Sequence, residues 1–169
     1  MARRPIEVAA LKTGQSVPQS QAVVDAAAVY EKGAVLVVVS NELEEGGTNP
    51  TSIAGIANHK NPPTNTPSET GLFVEAREWV EFVGSIDDNG DLGNGAIAAT
   101  DLFTAYGITE DTDGTWYVDK GKTGATVVRV RITRFLDDIG TVNGRVAFQF
   151  LPIINLAGTP TAVTIYAGN

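Results

Sequence analysis

The sequence predicts a mainly β protein: a small barrel-like body with one or two short helices and an extended N-terminal arm. Three observations carry this. Strand-like stretches at Trp116–Asp119, Ala125–Phe135 and Arg145–Ile154 are rich in β-branched and aromatic residues. Turn residues separate them, namely Lys120-Gly121-Lys122-Thr123-Gly124, Asp137-Asp138-Ile139-Gly140 and Asn143-Gly144. Regular alternation of strands with helices, which a parallel α/β fold requires, is missing.

In chain order, Met1–Gln21 reads as an arm. Its apolar residues are sparse (Ile6, Val8, Leu11) and a polar run, Thr13–Gln21, follows. Such a segment cannot close a core unaided. Ile6, Val8 and Ala10 alternate, as an extended segment that adds to another sheet edge would. Residues 22–169 then form a single β-rich body. Ala26-Ala27-Ala28 suits a short helix or a linker, Glu31-Lys32-Gly33 a turn, and valine-rich Ala34–Ser40 a buried strand. Asn41–Pro50 reads as a solvated turn and Ser52–Ala57 as a short strand.

Asn58–Thr70, with Pro62, Pro63 and Pro67, is the main loop. Leu72–Ile86 resumes strand pattern, with a helical alternative over Val74–Phe82 that the flanking aromatic and β-branched residues outweigh. Asp87–Gly95 is a polar loop. Ala96–Tyr106 suits one or two helical turns with Asp101 as cap, and Ile108–Gly114 an acidic turn. In the strand over Ala125–Phe135, Val128, Val130 and Ile132 point one way and Arg129, Arg131 and Thr133 the other. The arginines are expected to pair with acids of the same molecule. Ala162–Tyr166 reads as a last strand.

Composition narrows function by exclusion. With 169 residues, the chain is long enough to bury a core without cross-links. It has no cysteine, which removes disulfides, thiolate zinc sites and thiol catalysis together. The longest apolar run, Ala34–Val39, is far too short to span a membrane, and no apolar stretch follows Arg3 and Arg4 as in a signal peptide. An intracellular origin is expected. Net charge is −8, and residues 41–119 hold fifteen acids against Lys60 and Arg77, a local −13. An acidic body of this kind argues against binding a phosphate backbone, so nucleic acid is not an expected partner.

The motifs that suggest chemistry fail on spacing. Gly121-Lys122-Thr123 resembles the end of a phosphate-binding loop, but Trp116 stands where that motif needs its first glycine, and a strand follows rather than a helix. Gly93-Asn94-Gly95-Ala96-Ile97-Ala98 matches a dinucleotide fingerprint without the required strand and helix around it. Asp87-Asp88-Asn89-Gly90-Asp91 opens like a calcium loop, yet Leu92 and Ala98 occupy its glycine and glutamate positions. His59, the only histidine, has no nucleophile and orienting partner that the sequence can name. Glu75, Glu78 and Glu81 have the spacing of a solvated face as much as of paired catalytic carboxylates. Trp79 and Trp116 sit among apolar neighbours, as core residues do, rather than as a sugar-stacking platform. No enzyme and no cofactor is expected.

Several stretches resemble the head decoration (capsid cement) proteins of tailed bacteriophages, of the lambda-like family. They are Lys32-Gly33-Ala34-Val35-Leu36 with Ile53-Ala54-Gly55-Ile56-Ala57, then Tyr106–Thr109, Gly114–Lys120, Val128-Arg129-Val130 and Gly144–Phe148. From Lys32 to Phe148 they span about two thirds of the chain. The resemblance implies a β-tulip-like body, assembly as a homotrimer on the outer surface of the mature head, and the major capsid protein as partner. Its implied location is the virion exterior after synthesis in the host bacterial cytoplasm. The arm is then expected to bind the capsid by strand addition, with Ile6, Val8 and Leu11 setting register and Arg3 and Arg4 guiding approach. The chain is longer than the smallest members of that family, and the Asn58–Thr70 loop has no counterpart among them. A carbohydrate-binding or host-attachment module on a phage surface is the alternative.

Overall fold

The computed structural model describes residues 5–11, 16–47, 49–61, 70–88 and 95–152. The chain is mainly β, in two sheets over one continuous core. The strands are β1 (Glu7–Leu11), β2 (Gln19–Val23), β3 (Val35–Val39), β4 (Glu42–Glu45), β5 (Gly55–Ala57), β6 (Thr70–Glu75), β7 (Val80–Asp87), β8 (Ala105–Glu110), β9 (Trp116–Asp119), β10 (Val130–Phe135) and β11 (Arg145–Phe150).

The first sheet runs β2-β6-β5-β3-β4, and all its pairings are antiparallel. It curls until Val24, just past β2, bridges Leu43 of β4. The second sheet runs β1-β7-β11-β10-β8-β9. It closes on itself, because Ile86 and Asp87 of β7 pair in parallel with Val118 and Asp119 of β9. Strands β7, β11, β10, β8 and β9 thus form a small five-stranded barrel, a closure that removes exposed edges. Alternation explains its filling: Val130 and Ile132 of β10 point inward and are fully buried, while Arg131 is exposed. Phe82 stacks on Phe148 at 6.1 Å, and Phe150 meets both rings edge-on at 5.3 and 5.7 Å. Each such fully buried side chain stabilises the fold by roughly 1.5–3 kcal/mol.

The leading segment departs from the loose arm that its sparse apolar residues suggest. Residues 7–11 pair antiparallel with β7 of the chain's own barrel, Glu7 opposite Val83 and Leu11 opposite Val80, with a bulge between Val8 and Ala10. Ile6 is only 1% exposed and belongs to the common core. Two glycines make room for it. At Gly33 (φ 89°) a Cβ would lie 2.7 Å from Pro5 and 2.9 Å from the Ile6 nitrogen. At Gly84 it would press on Ile6 Cγ1 at 3.2 Å. Residues 19–23, of which 19–21 belong to the expected arm, are β2, paired along its length with β6. The alternation of Ile6 and Val8 is therefore used within this chain.

Other expectations shift in extent. Residues 42–45 form a strand, not a solvated turn, because Leu43 is fully buried opposite Val38. Residues 105–110 form β8 where helix and turn were expected. Gly107 lies where a Cβ would come 2.5 Å from Lys122 Cβ. The helix within Ala96–Tyr106 is one 3-10 turn, Ala99–Asp101. The strand expected from Ala125 begins at Val130, and the next ends at Phe150. The last strand, Ala162–Tyr166, lies outside the described residues, as do 62–69 of the proline loop.

Ile6 joins both sheets. Ile6→Ala is expected to lower unfolding stability by about 2–5 kcal/mol in a urea titration, as for other aliphatic-to-alanine changes in cores. Removal of residues 1–11 is expected to expose the β7 edge and lower the midpoint further.

Candidate functional site

The titratable groups come first, because a catalytic site would need them. His59 is exposed. Glu75 is buried and accepts hydrogen bonds from Ser20 Oγ and Arg77 Nε. Glu81 accepts from Thr133 Oγ1 and, at 2.8 Å, from Arg134 Nη2, whereas Glu78 is exposed. These three carboxylates do not face one another as an acid–base pair would.

The buried acids lie around one end of the barrel. Ala98, not Asp101, holds the N-cap position of the 3-10 turn; Asp101, its last residue, accepts back from Ala98 N–H at 2.8 Å and from Tyr106 Oη at 2.7 Å. Lys120 Nζ sits 3.0 Å from the same carboxylate and donates to the Ala96 carbonyl at 2.9 Å. Asp119 accepts from Thr109 Oγ1 and Gly121 N–H, both at 2.9 Å, with Lys122 Nζ 3.3 Å away. Asp87 accepts from Asp88 and Gly95 N–H at 2.7 and 3.0 Å. Burial, and then the bond to anionic Asp101, push the Tyr106 hydroxyl well above its usual range. Each carboxylate is satisfied by specific donors, the arrangement by which buried charge is tolerated. Lys122, in the glycine-lysine-threonine stretch, points at Thr109 and Asp119. Asp91, and Gly93 and Asn94 of the fingerprint match, are outside the described residues. Among the described residues no group of three histidine, aspartate or glutamate side chains is arranged to hold a metal ion.

Trp116 is 1% exposed, and its Nε1 donates to Glu45 Oε1 at 2.8 Å, tying the barrel to β4 of the first sheet. Trp79 is half-buried against the core. The two tryptophans do not form an exposed aromatic platform. Arg129 donates to the carbonyls of Pro50, Thr126 and Val128 rather than to acids, whereas Arg134 and Arg145 do pair with Glu81 and Asp137.

What remains is surface. A groove of about 280 Å³ runs beside β1, floored by Ile6, Val8, Ile56, Ala57 and Val74. At its rim Glu7 and Lys32 stand 3.7 Å apart, both well exposed. The residues expected to bind a partner therefore divide. Val8 lines the groove, Ile6 forms its floor from within the core, Leu11 pairs through its backbone with Val80, and Arg3 and Arg4 lie outside the described residues. The sequence reading missed the most exposed apolar side chains of the barrel, Phe103 and Ile139, since isolated apolar residues in polar loops carry no periodic signal. Comparison with protein-family models and with curated proteins returns no match.

Two outcomes test the electrostatics. Tyr106→Phe leaves buried Asp101 one donor short and is expected to cost about 1–3 kcal/mol in denaturant unfolding. At the junction of the sheets, burial raises the Glu45 carboxyl above its ordinary 4.5; the Trp116 bond opposes this, and Glu110 and Glu31 add to the rise. A carboxyl raised by folding favours the native state most below its ordinary value, and that contribution is lost as pH climbs through the raised one. Glu45→Gln should therefore melt with the wild type below pH 4.5 and above it at neutral pH in paired thermal scans.

Proposed function

We propose that this chain is a decoration protein of a phage head, bound to the outside of the mature capsid and reinforcing it as a trimer. The observation that carries this reading is the placement of the resembling stretches. Lys32–Leu36 and Ile53–Ala57 lie side by side as the start of β3 and β5, with Val35 opposite Ile56. Tyr106–Thr109, Trp116–Asp119, Val130 and Arg145–Phe148 fall in β8, β9, β10 and β11, four of the five barrel strands. The resemblance thus follows contiguous parts of the fold rather than scattered fragments.

The mechanism is mass action. A protein that binds the expanded shell and not its precursor stabilises the expanded form, and many symmetric copies add avidity. The β1 segment takes a different part from the one its sequence suggests. With Ile6 in the core, residues 5–11 present an already formed strand, not a loose peptide awaiting a host sheet. A carbohydrate-binding role draws less support, because the Trp116 face is buried.

Electron microscopy of heads carrying and lacking this chain is the test. The expected result is extra density at three-fold positions outside the shell, together with greater resistance to heat. Identical maps and equal heat resistance would contradict the proposal.

A further inference from the structure

The least explained feature is an aromatic side chain displayed where the backbone resists it. Phe103 has φ of 62°, in the left-handed region that bulky residues enter only against a steric penalty. Its side chain is 68% exposed, the highest value among the large hydrophobic residues described, with Leu102 at 38% and Ile139 at 61%. The conformation is held from several sides. Phe103 N–H donates to the Ile132 carbonyl at 3.0 Å, and Thr104 N–H donates to the carbonyl of buried Asp101 at 3.0 Å. The turn bearing Ile139 is fastened to the same hub, since Gly140 N–H donates to Ile97 O at 2.8 Å and Ile97 N–H to Thr141 O at 3.1 Å. The result is an apolar knob carried on two hydrogen-bonded turns. Strain held in place around an exposed aromatic group points to a contact, because such groups anchor interfaces.

The β1 groove is its counterpart. The two lie beside different strands of the second sheet: Phe103 bonds to β10, and β11 and β7 separate β10 from β1. The groove, at about 280 Å³, is smaller than most small-molecule sites (roughly 300–1,000 Å³) and suits an inserted side chain. Its rim offers Lys32 and Glu7; at the knob, exposed Asp138 precedes Ile139 and exposed Arg131 precedes the Ile132 that binds Phe103 N–H, so each surface carries one acid and one base. We propose that copies of this chain associate head to tail, the Leu102–Phe103–Ile139 knob of one seated in the β1 groove of the next. Contacts between unlike surfaces of identical chains build a closed ring when the rotation permits, as in a trimer. The inference rests on the proposed function only through its expectation of several copies, and it assigns the surfaces that join them.

Sedimentation and native mass spectrometry of the purified chain across the micromolar range test it. The wild type is expected to form a closed oligomer. Phe103→Asn removes the ring while suiting the left-handed backbone, so it should melt no lower than the wild type yet associate at least about thirtyfold more weakly. Lys32→Glu and Asp138→Lys should each weaken association by up to about fivefold, and together restore it. A wild type that stays monomeric, a Phe103→Asn variant that associates as well as wild type, or a double variant that restores nothing would overturn the assignment. A monomer still found on head shells would leave the decoration reading standing. An oligomer that shells ignore would leave only the head-to-tail contact.

Discussion

Ile6 and the strand that follows it are the constraint on which this fold depends. The barrel is closed by the β7–β9 pairing, and the first sheet curls to meet itself at Val24 and Leu43. They are one body because the chain's leading segment crosses from the turn at Gly33 to the edge of β7 and leaves Ile6 in the core between. Trp116 reinforces the junction by burying its ring and donating to Glu45 across it. The hydrophobic term dominates here, since a fully buried isoleucine and tryptophan remove far more apolar surface from water than one hydrogen bond returns in net energy.

The acids divide the same body into two electrostatic regimes. Asp87, Asp101 and Asp119 are buried near one end of the barrel, and each accepts from backbone or side-chain donors. They fix loop geometry there, and the backbone carbonyl of Asp101 accepts the Thr104 N–H that closes the left-handed turn at Phe103. Glu45 and Glu110 are only partly buried, and burial lifts both toward the neutral form. Hydrogen bonds to carboxylates thus order the barrel end, while the seam between the sheets carries the carboxyls that burial shifts.

Much of this was legible in the residues, and the failures are instructive. Val130 and Ile132 against Arg131 follow period-two alternation, whereas Trp116–Asp119 and Arg145–Phe150 are buried along most of their length and read as strands from their β-branched and aromatic residues. Gln19–Val23 did not, because its half-buried positions, Ser20 and Ala22, are small and its exposed ones mix Gln19 and Gln21 with Val23, so no apolar alternation marks it. Glu42–Glu45 looked like a turn through its acids, although Leu43 alone anchors it. The position of Ile6 could not be read locally at all, since it depends on a glycine at 33 and another at 84. Of the candidate surface, Val8 was expected and does line a groove. Phe103 and Ile139 were not, for display in a turn is decided by the scaffold beneath it.

Native-state hydrogen exchange, residue by residue, bears most directly on the claim that the leading strand unites the two sheets. The amides of β1 should open only with the global unfolding of the barrel and the first sheet, at the same free energy as those of β7 and β3. If β1 amides exchange as freely as those of exposed loops while β7 and β3 stay protected, the segment is an appendage and the two sheets hold together without it.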